Sequence, residues 1–313
     1  MSARSLSVAQ DGVFTTPIRV AARIQLGALA PTMPVAEAFS LLALSTAAEA
    51  VRRASLLRSS DDSEILHKLR VALRRLRTLW WAYRPLLDGT GATAHAHEFK
   101  SLASIAGVTR NWDVLRHLMQ EAHAMRPRFA TLLSDIDEKR AGALLLSRAT
   151  IFDAQIESSL KHAIENTRHH LDARSGNPAL ADFVEGSIER AEKALKKAVK
   201  RAIQDRASRY TSLHEVRIAG KKLRYVLEFF SPILQRDHQA VIESLASVQD
   251  VLGMLNDLVT SEALLREHTF QLTESAVVND AIGYLEGEKM RQMRTAGTIL
   301  QDVPRTMTAN WQP

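Results

Sequence analysis

The chain has 313 residues, 46% hydrophobic and 24% charged, which is enough apolar material for the core of one large or two ordinary domains. Lys and Arg number 41 against 35 Asp and Glu, and the net charge of +6 favours polyanionic partners: nucleic acid, anionic lipid or polyphosphate. There is no cysteine, which removes disulfides, thiolate catalysis and Cys-ligated zinc, and no stretch nears the ~18 consecutive apolar residues of a membrane span.

Residues 1–32 read as a mobile leader in which Asp11 is the only acid. It lacks an apolar run with a cleavage site, so no secretory signal is expected; a short basic targeting segment is the weaker reading. Residues 35–58 are Ala/Leu-rich with helical periodicity, and Ser59 to Ser63 reads as a loop ending in an N-cap. A charged helix then runs to Tyr83, closed by Pro85 and Gly89. Residues 94–124 are helical, Pro127 interrupts, and 128–171 form one long or two shorter helices. Ser175-Gly176-Asn177-Pro178 is the clearest break in the middle of the chain. Helices are expected again over 179–207, from there to Phe230 before Pro232, over 237–267 and over 274–300. From Pro304 the chain is expected to be irregular. No segment alternates as a strand would.

The charged helix occurs twice. His67-Lys68-Leu69-Arg70-Val71-Ala72-Leu73-Arg74-Arg75-Leu76-Arg77 returns as His214-Glu215-Val216-Arg217-Ile218-Ala219-Gly220-Lys221-Lys222-Leu223-Arg224. At about 100° per residue, His67, Arg70, Arg74 and Arg77 share an arc of roughly 80°, as do His214, Arg217, Lys221 and Arg224. Leu66, Leu69, Leu73, Leu76 and Trp80 lie opposite the first stripe, and Leu213, Val216, Leu223 and Leu227 oppose the second. Each helix is therefore amphipathic, with an apolar face for a core and a nearly pure cationic stripe about 15 Å long. Solvated helix faces normally mix signs. Cations stacked at this spacing repel one another until an anion lies along them, and two such stripes point to an anion-binding surface.

The repeat extends further. Ala50-Val51-Arg52-Arg53-Ala54 matches Ala198-Val199-Lys200-Arg201-Ala202, and Leu102-Ala103-Ser104-Ile105 matches Leu245-Ala246-Ser247-Val248. An acid follows each at a similar distance, Asp113 and Asp257. Signals in the same order mean a duplicated unit of about 140 residues. The expected fold is all-α: two four-helix bundles related by internal duplication and pseudo-twofold symmetry, over 33–175 and 179–305, with a tail at 306–313.

With the paired His-x-x-Arg helices and trailing Asp in hand, the chain resembles the CHAD family, the conserved histidine α-helical domain, from about Met33 to Arg305. The resemblance implies two bundles whose basic helices line a central cationic surface that binds inorganic polyphosphate, and collection on cytoplasmic polyphosphate granules. Carried over by position, the binding residues are His67, Arg70, Arg74, Arg75 and Arg77 with His214, Arg217, Lys221, Lys222 and Arg224. Arg52, Arg53, Lys200 and Arg201 of the extended repeat join that candidate surface, with Asp113 and Asp257 in support. Gly220 is unusual inside a helix, and Asn111 stands where family members often carry an acid. The Glu-x-Glu-x-Lys strand of an adjoining CYTH domain is not found; Glu286-Gly287-Glu288-Lys289 has the wrong spacing.

Competing chemistries are weaker. Glu64-x-x-His67 has the spacing of a di-iron ligand pair, but Thr211 precedes His214 where a second Glu would stand. His95, His97, His169 and His170 read as polar surface. No cofactor or metal is expected. No Gly-rich phosphate loop or Gly-x-Ser-x-Gly is present, so the chain is not expected to be an enzyme. Asp113 and Asp257 read as braces for basic side chains rather than a catalytic pair, which leaves hydrolysis of phosphate esters or polyphosphate as a minor alternative. Non-specific nucleic-acid binding is the main rival. It lacks obvious stacking platforms, since Trp80, Tyr83 and Phe230 project to the apolar side, although Trp81 and Tyr225 lie near the cationic arcs.

Overall fold

The computed structural model describes residues 29–309 apart from 88, 126–127, 206–208, 236–237 and 273; most of the expected leader, 1–28, and the last residues of the tail, 310–313, lie outside the described residues. Every regular element among the described residues is helical. The helices are α1 (Val35–Leu56), α2 (Ser63–Tyr83), α3 (Gly89–Met125), α4 (Ala130–Asp153), α5 (Ile156–Ala173), α6 (Leu180–Gln204), α7 (Arg209–Phe230), α8 (Gln239–His268) and α9 (Ser275–Ala309).

Local chemistry sets several boundaries. The Asp62 carboxylate accepts from the Glu64 backbone N–H at 2.9 Å and caps α2. Gly176 takes the left-handed backbone at φ 72°, and the Asn177 side chain donates to the Leu171 carbonyl at 2.8 Å, which closes α5 at the expected mid-chain break. The 128–171 stretch resolves into two helices, because Gln155 adopts φ 43° and ψ 52° between them. One expectation is corrected: α9 continues through Pro304 to Ala309. Proline removes one N–H and crowds the preceding turn, so a sequence reading stops there, but a long preformed helix can propagate past it.

In the first half α1 packs on α2 and α5, α2 on α3, and α3 on α4. In the second, α6 packs on α7, α7 on α8, and α9 on both α8 and α6. Between halves α1 meets α6, α2 meets α7 and α3 meets α8, so these three helices each touch the one that matches them in sequence.

The apolar faces make two cores. The larger joins α1, α2, α5, α6 and α7 with the first part of α3 and α8 and the later parts of α4 and α9; Phe39, Trp80, Tyr83, Phe229 and Phe230 are among its largest fully buried members. The Trp80 indole N–H donates to Thr167 Oγ1 at 3.1 Å and the Tyr83 hydroxyl to the Val35 carbonyl at 3.1 Å, so both rings are buried without stranding a polar group. Leu29, in the last part of the expected leader, is buried in this core. The smaller core joins Trp112, Leu115, Met119, Phe129 and Ile136 of the first half to Leu258, Leu265, Ile282 and Leu285 of the second. Along α8 the larger core ends at Leu255 and the smaller begins at Leu258; along α3 they end and begin at Ala106 and Trp112. Between those limits lie Arg110, Asn256 and Asp257, and this polar band meets the histidine ends of α2 and α7.

Candidate anion-binding site

The contact of α2 with α7 is fixed by two cations that cross it. Arg75 of α2 pairs with Glu228 of α7, its guanidinium 4.8 Å from the Phe229 ring centroid and 5.4 Å from that of Tyr225. Lys222 of α7 places its ammonium 5.0 Å from the Trp81 ring of α2. Arg75 and Lys222 match in the repeat, and so do Trp81 and Glu228. The two arms thus cross at equivalent places, one ending on a carboxylate and the other on an indole face. Both aromatics near the arcs are accounted for by packing: Tyr225 is buried, and Trp81 is half-buried beneath Lys222.

These arms hold the two stripes against each other. Arg74 is central, close enough to Arg70, Arg77, Arg217, Lys221 and His67 to affect the protonation of each. Burial pushes Lys221 down to about 6, helped by Arg74, Arg217 and Arg224 and opposed by Asp257. Burial likewise brings Arg70 to about 10, with Arg74, Arg110 and Arg217 adding to the shift and Asp257 opposing it. Arg217 and Arg77 are held below the usual guanidinium value by burial and then by Arg74. His67 is lowered by burial, then by Arg110, Arg74 and Arg70 against Glu64. His214 is lowered by burial, Arg217 and Lys221 against a hydrogen bond with Asn256. His214 Nδ1 and Arg217 Nε are buried with no hydrogen-bond partner among the described residues. Positive charge is thus concentrated here beyond what the surrounding acids offset, so a bound anion would be favoured.

The other expected site residues are distributed differently. Arg75 is held by Glu228, which also lies 3.2 Å from Arg224 Nε. Arg52 and Arg53 both pair with Glu49 at 2.6 Å on α1. Arg201 pairs with Glu215, and Lys200 is exposed on α6. The two acids also diverge. Asp113 is buried and accepts from Arg140 Nε at 2.5 Å, so it braces α4, whereas Asp257 sits within the cationic cluster. Gly220 is buried where α7 meets α8, and a Cβ there would lie 3.8 Å from Gln249 Nε2, an ordinary contact.

Two residues with a part in the site were not singled out from sequence. Arg110 of α3 adds a cation beside His67 and Arg70, and with Asp113, Asp257 and Glu64 it lines a cleft of about 740 Å³ at this end of the stripes. Its signal was its place one helical turn before Asp113. Gly107, one turn earlier again, leaves the space that the Arg70 guanidinium fills, where Arg70 Nη1 donates to the Ala103 carbonyl at 3.0 Å. Among the described residues no three His, Asp or Glu side chains gather as a metal site would require, and no helix is long and apolar enough to cross a membrane.

The family model for the CHAD domain matches residues 42–266. The chain belongs to the CHAD family. The crystal structure of the CHAD domain from the plant Ricinus communis is 26% identical to this CHAD chain, with a TM-score of 0.72 over 89% of this chain and 96% of that one. PptA from Streptomyces chartreusis shares the fold at 18% identity and a TM-score of 0.63, over 87% of this chain and 100% of that one. Among curated proteins none matches.

Proposed function

We propose that this CHAD chain binds inorganic polyphosphate without catalysing its breakdown, and that it does so on polyphosphate granules in the cytoplasm. The observation that carries the reading is the convergence of the α2 and α7 stripes on Arg74, with Arg70, Arg217 and Lys221 packed around it and Asp257 as the acid among them. A polyanion with one charge per short repeat matches a line of cations better than a compact anion does. Arg supplies forked donors of fixed charge, and Lys supplies a point charge. Membership of the CHAD family supports the same ligand class. The pairwise contacts between matching helices, and the crossed Arg75 and Lys222 arms, support an origin by duplication of a four-helix unit.

The test is a competition. Long-chain polyphosphate should displace both single-stranded and duplex DNA at equal phosphate concentration. Rising salt should release DNA first, because a flexible chain can follow both stripes and a duplex cannot. Replacing Arg70, Arg74 and Arg77 together should flatten the salt dependence of polyphosphate binding. DNA binding equal to or tighter than polyphosphate would replace this reading with a nucleic-acid one.

A further inference from the structure

A second cationic surface lies outside the central cluster. Lys193, Lys196, Lys197 and Lys200 of α6 are all exposed, and at 100° per residue they share an arc of roughly 100°. Lys196 lies 3.7 Å from Glu192, while Lys193, Lys197 and Lys200 have no acidic partner among the described residues. Like charges four apart on a helix repel one another, and this face carries two such pairs. The helix dipole favours cations only in the last turn of α6, which accounts for Arg201 and leaves Lys193, Lys197 and Lys200 unexplained. Exposed Glu185 and Glu189 restore a mixed face only toward the start of the helix.

The matching face of α1 is different. Ser45, Ala48 and Glu49 stand where α6 has Lys193, Lys196 and Lys197; Ala48 is buried, and Glu49 holds Arg52 and Arg53. The lysine face therefore belongs to one half alone. It also connects with the central site. Lys197 and Arg201 of α6 line a groove of about 270 Å³ with Ile218 and Lys222 of α7, and Lys222 stands close to Arg77 and Arg84. Glu215, paired with Arg201, is the acid in that groove.

We propose that the α6 lysine face is an extension subsite for polyphosphate chains longer than the central stripes can cover, reached past Lys222. A long chain leaves the Arg74 cluster by Arg77 and Lys222, crosses the groove and lies along Lys197 and Lys193. Because α1 has no such face, the chain overruns the pseudosymmetric centre on one side. This rests on the polyphosphate reading and adds to it a preference for long chains.

The experiment compares tripolyphosphate with long-chain polyphosphate on the full chain. Lys193→Gln with Lys197→Gln should leave tripolyphosphate affinity as in the wild type. The same pair should weaken long-chain binding about fivefold and make its salt slope shallower by about 1.4, at ~0.7 per lost contact on a flexible polyanion. Glu215→Gln frees Arg201 and should tighten long-chain binding only. Lys139→Gln with Lys161→Gln removes a half-buried cation from α4 and an exposed one from α5, both away from the stripes and the α6 face, and should change neither ligand. The extension is overturned if the α6 pair leaves the long-chain slope unchanged, weakens both ligands equally, or acts no more strongly than the α4/α5 pair. Wild-type protein that binds neither ligand would overturn the polyphosphate reading itself.

Discussion

Gly107→Ala sets helix propensity against tertiary packing, and the structure assigns the winner. In the interior of α3, alanine should stabilise the helix by about 1 kcal/mol over glycine. A Cβ at this position, however, would occupy the space held by the Arg70 guanidinium, and Arg70 would have to release the Ala103 carbonyl, 3.0 Å from its Nη1. A hydrogen bond from a charged donor contributes about 1.5–3 kcal/mol. The balance is a loss of about 0.5–2 kcal/mol, or roughly 1–3 °C in melting temperature for a chain of this size. Displacing Arg70 also removes one cation from the cluster, so the salt slope for polyphosphate should fall by about 0.7. Gly253→Ala on α8 is the control: nothing lies within 4 Å of a Cβ there, so it should gain the propensity term and leave binding alone. Thermal unfolding and a salt titration of both variants check this. Should Gly107→Ala melt higher than wild type and bind with an unchanged slope, the placement of Arg70 would be wrong.

Adjacent arginines should separate cleanly: Arg75→Gln, which breaks the arm to Glu228, should lower stability by about 1 kcal/mol with little change in salt slope, because it removes a partly buried charged contact between α2 and α7 and leaves Glu228 with Arg224 alone. Arg74→Gln should reduce the slope by about 0.7 while leaving the unliganded protein as stable or more so, since it relieves repulsion on Arg70, Arg217 and Lys221; chemical denaturation and binding isotherms of the two variants give the comparison. For pH, Lys221 is about 6 in the folded chain against 10.5 ordinarily, so the unfolded chain holds more protons over that window. Stability of the unliganded protein should therefore rise with pH between about 6 and 10, with the full penalty present below about 6. A bound phosphate chain restores the ammonium charge, and the charges of the lowered His67 and His214, so binding should take up protons and tighten as pH falls through that window. Calorimetry in buffers of different ionisation enthalpy counts the protons, and zero uptake near pH 8 would refute the charge clustering.

The two stripes were legible because residues four apart on a helix share a face whatever surrounds it. The same rule separated Trp80, Tyr83 and Phe230, all buried, from the cations. The fate of Arg75 was not legible. It lies about 80° beyond the His67 edge of the arc, and only the approach of α7 with Glu228 shows that it also ties the two helices together. Arg52, Arg53 and Arg201 repeat as faithfully as the central cations, yet each has a carboxylate on its own or a neighbouring helix. Periodicity cannot find a partner on another helix.

The helices, their apolar faces, the match between halves and the family can all be read along the chain, because each depends on neighbours within a turn or on direct comparison of residues. Which cations share one volume depends on how the helices pack. Arg110, Arg74, Lys221 and Asp257 come from four helices, and their mutual influence depends on separation in space and on burial. Both are set by how α2 and α7 cross and by where the two cores leave a polar band between them. That is why the sequence could name a charged stripe but could not show that Lys221 is held near neutrality or that Asp113 and Asp257, alike in the repeat, serve different ends.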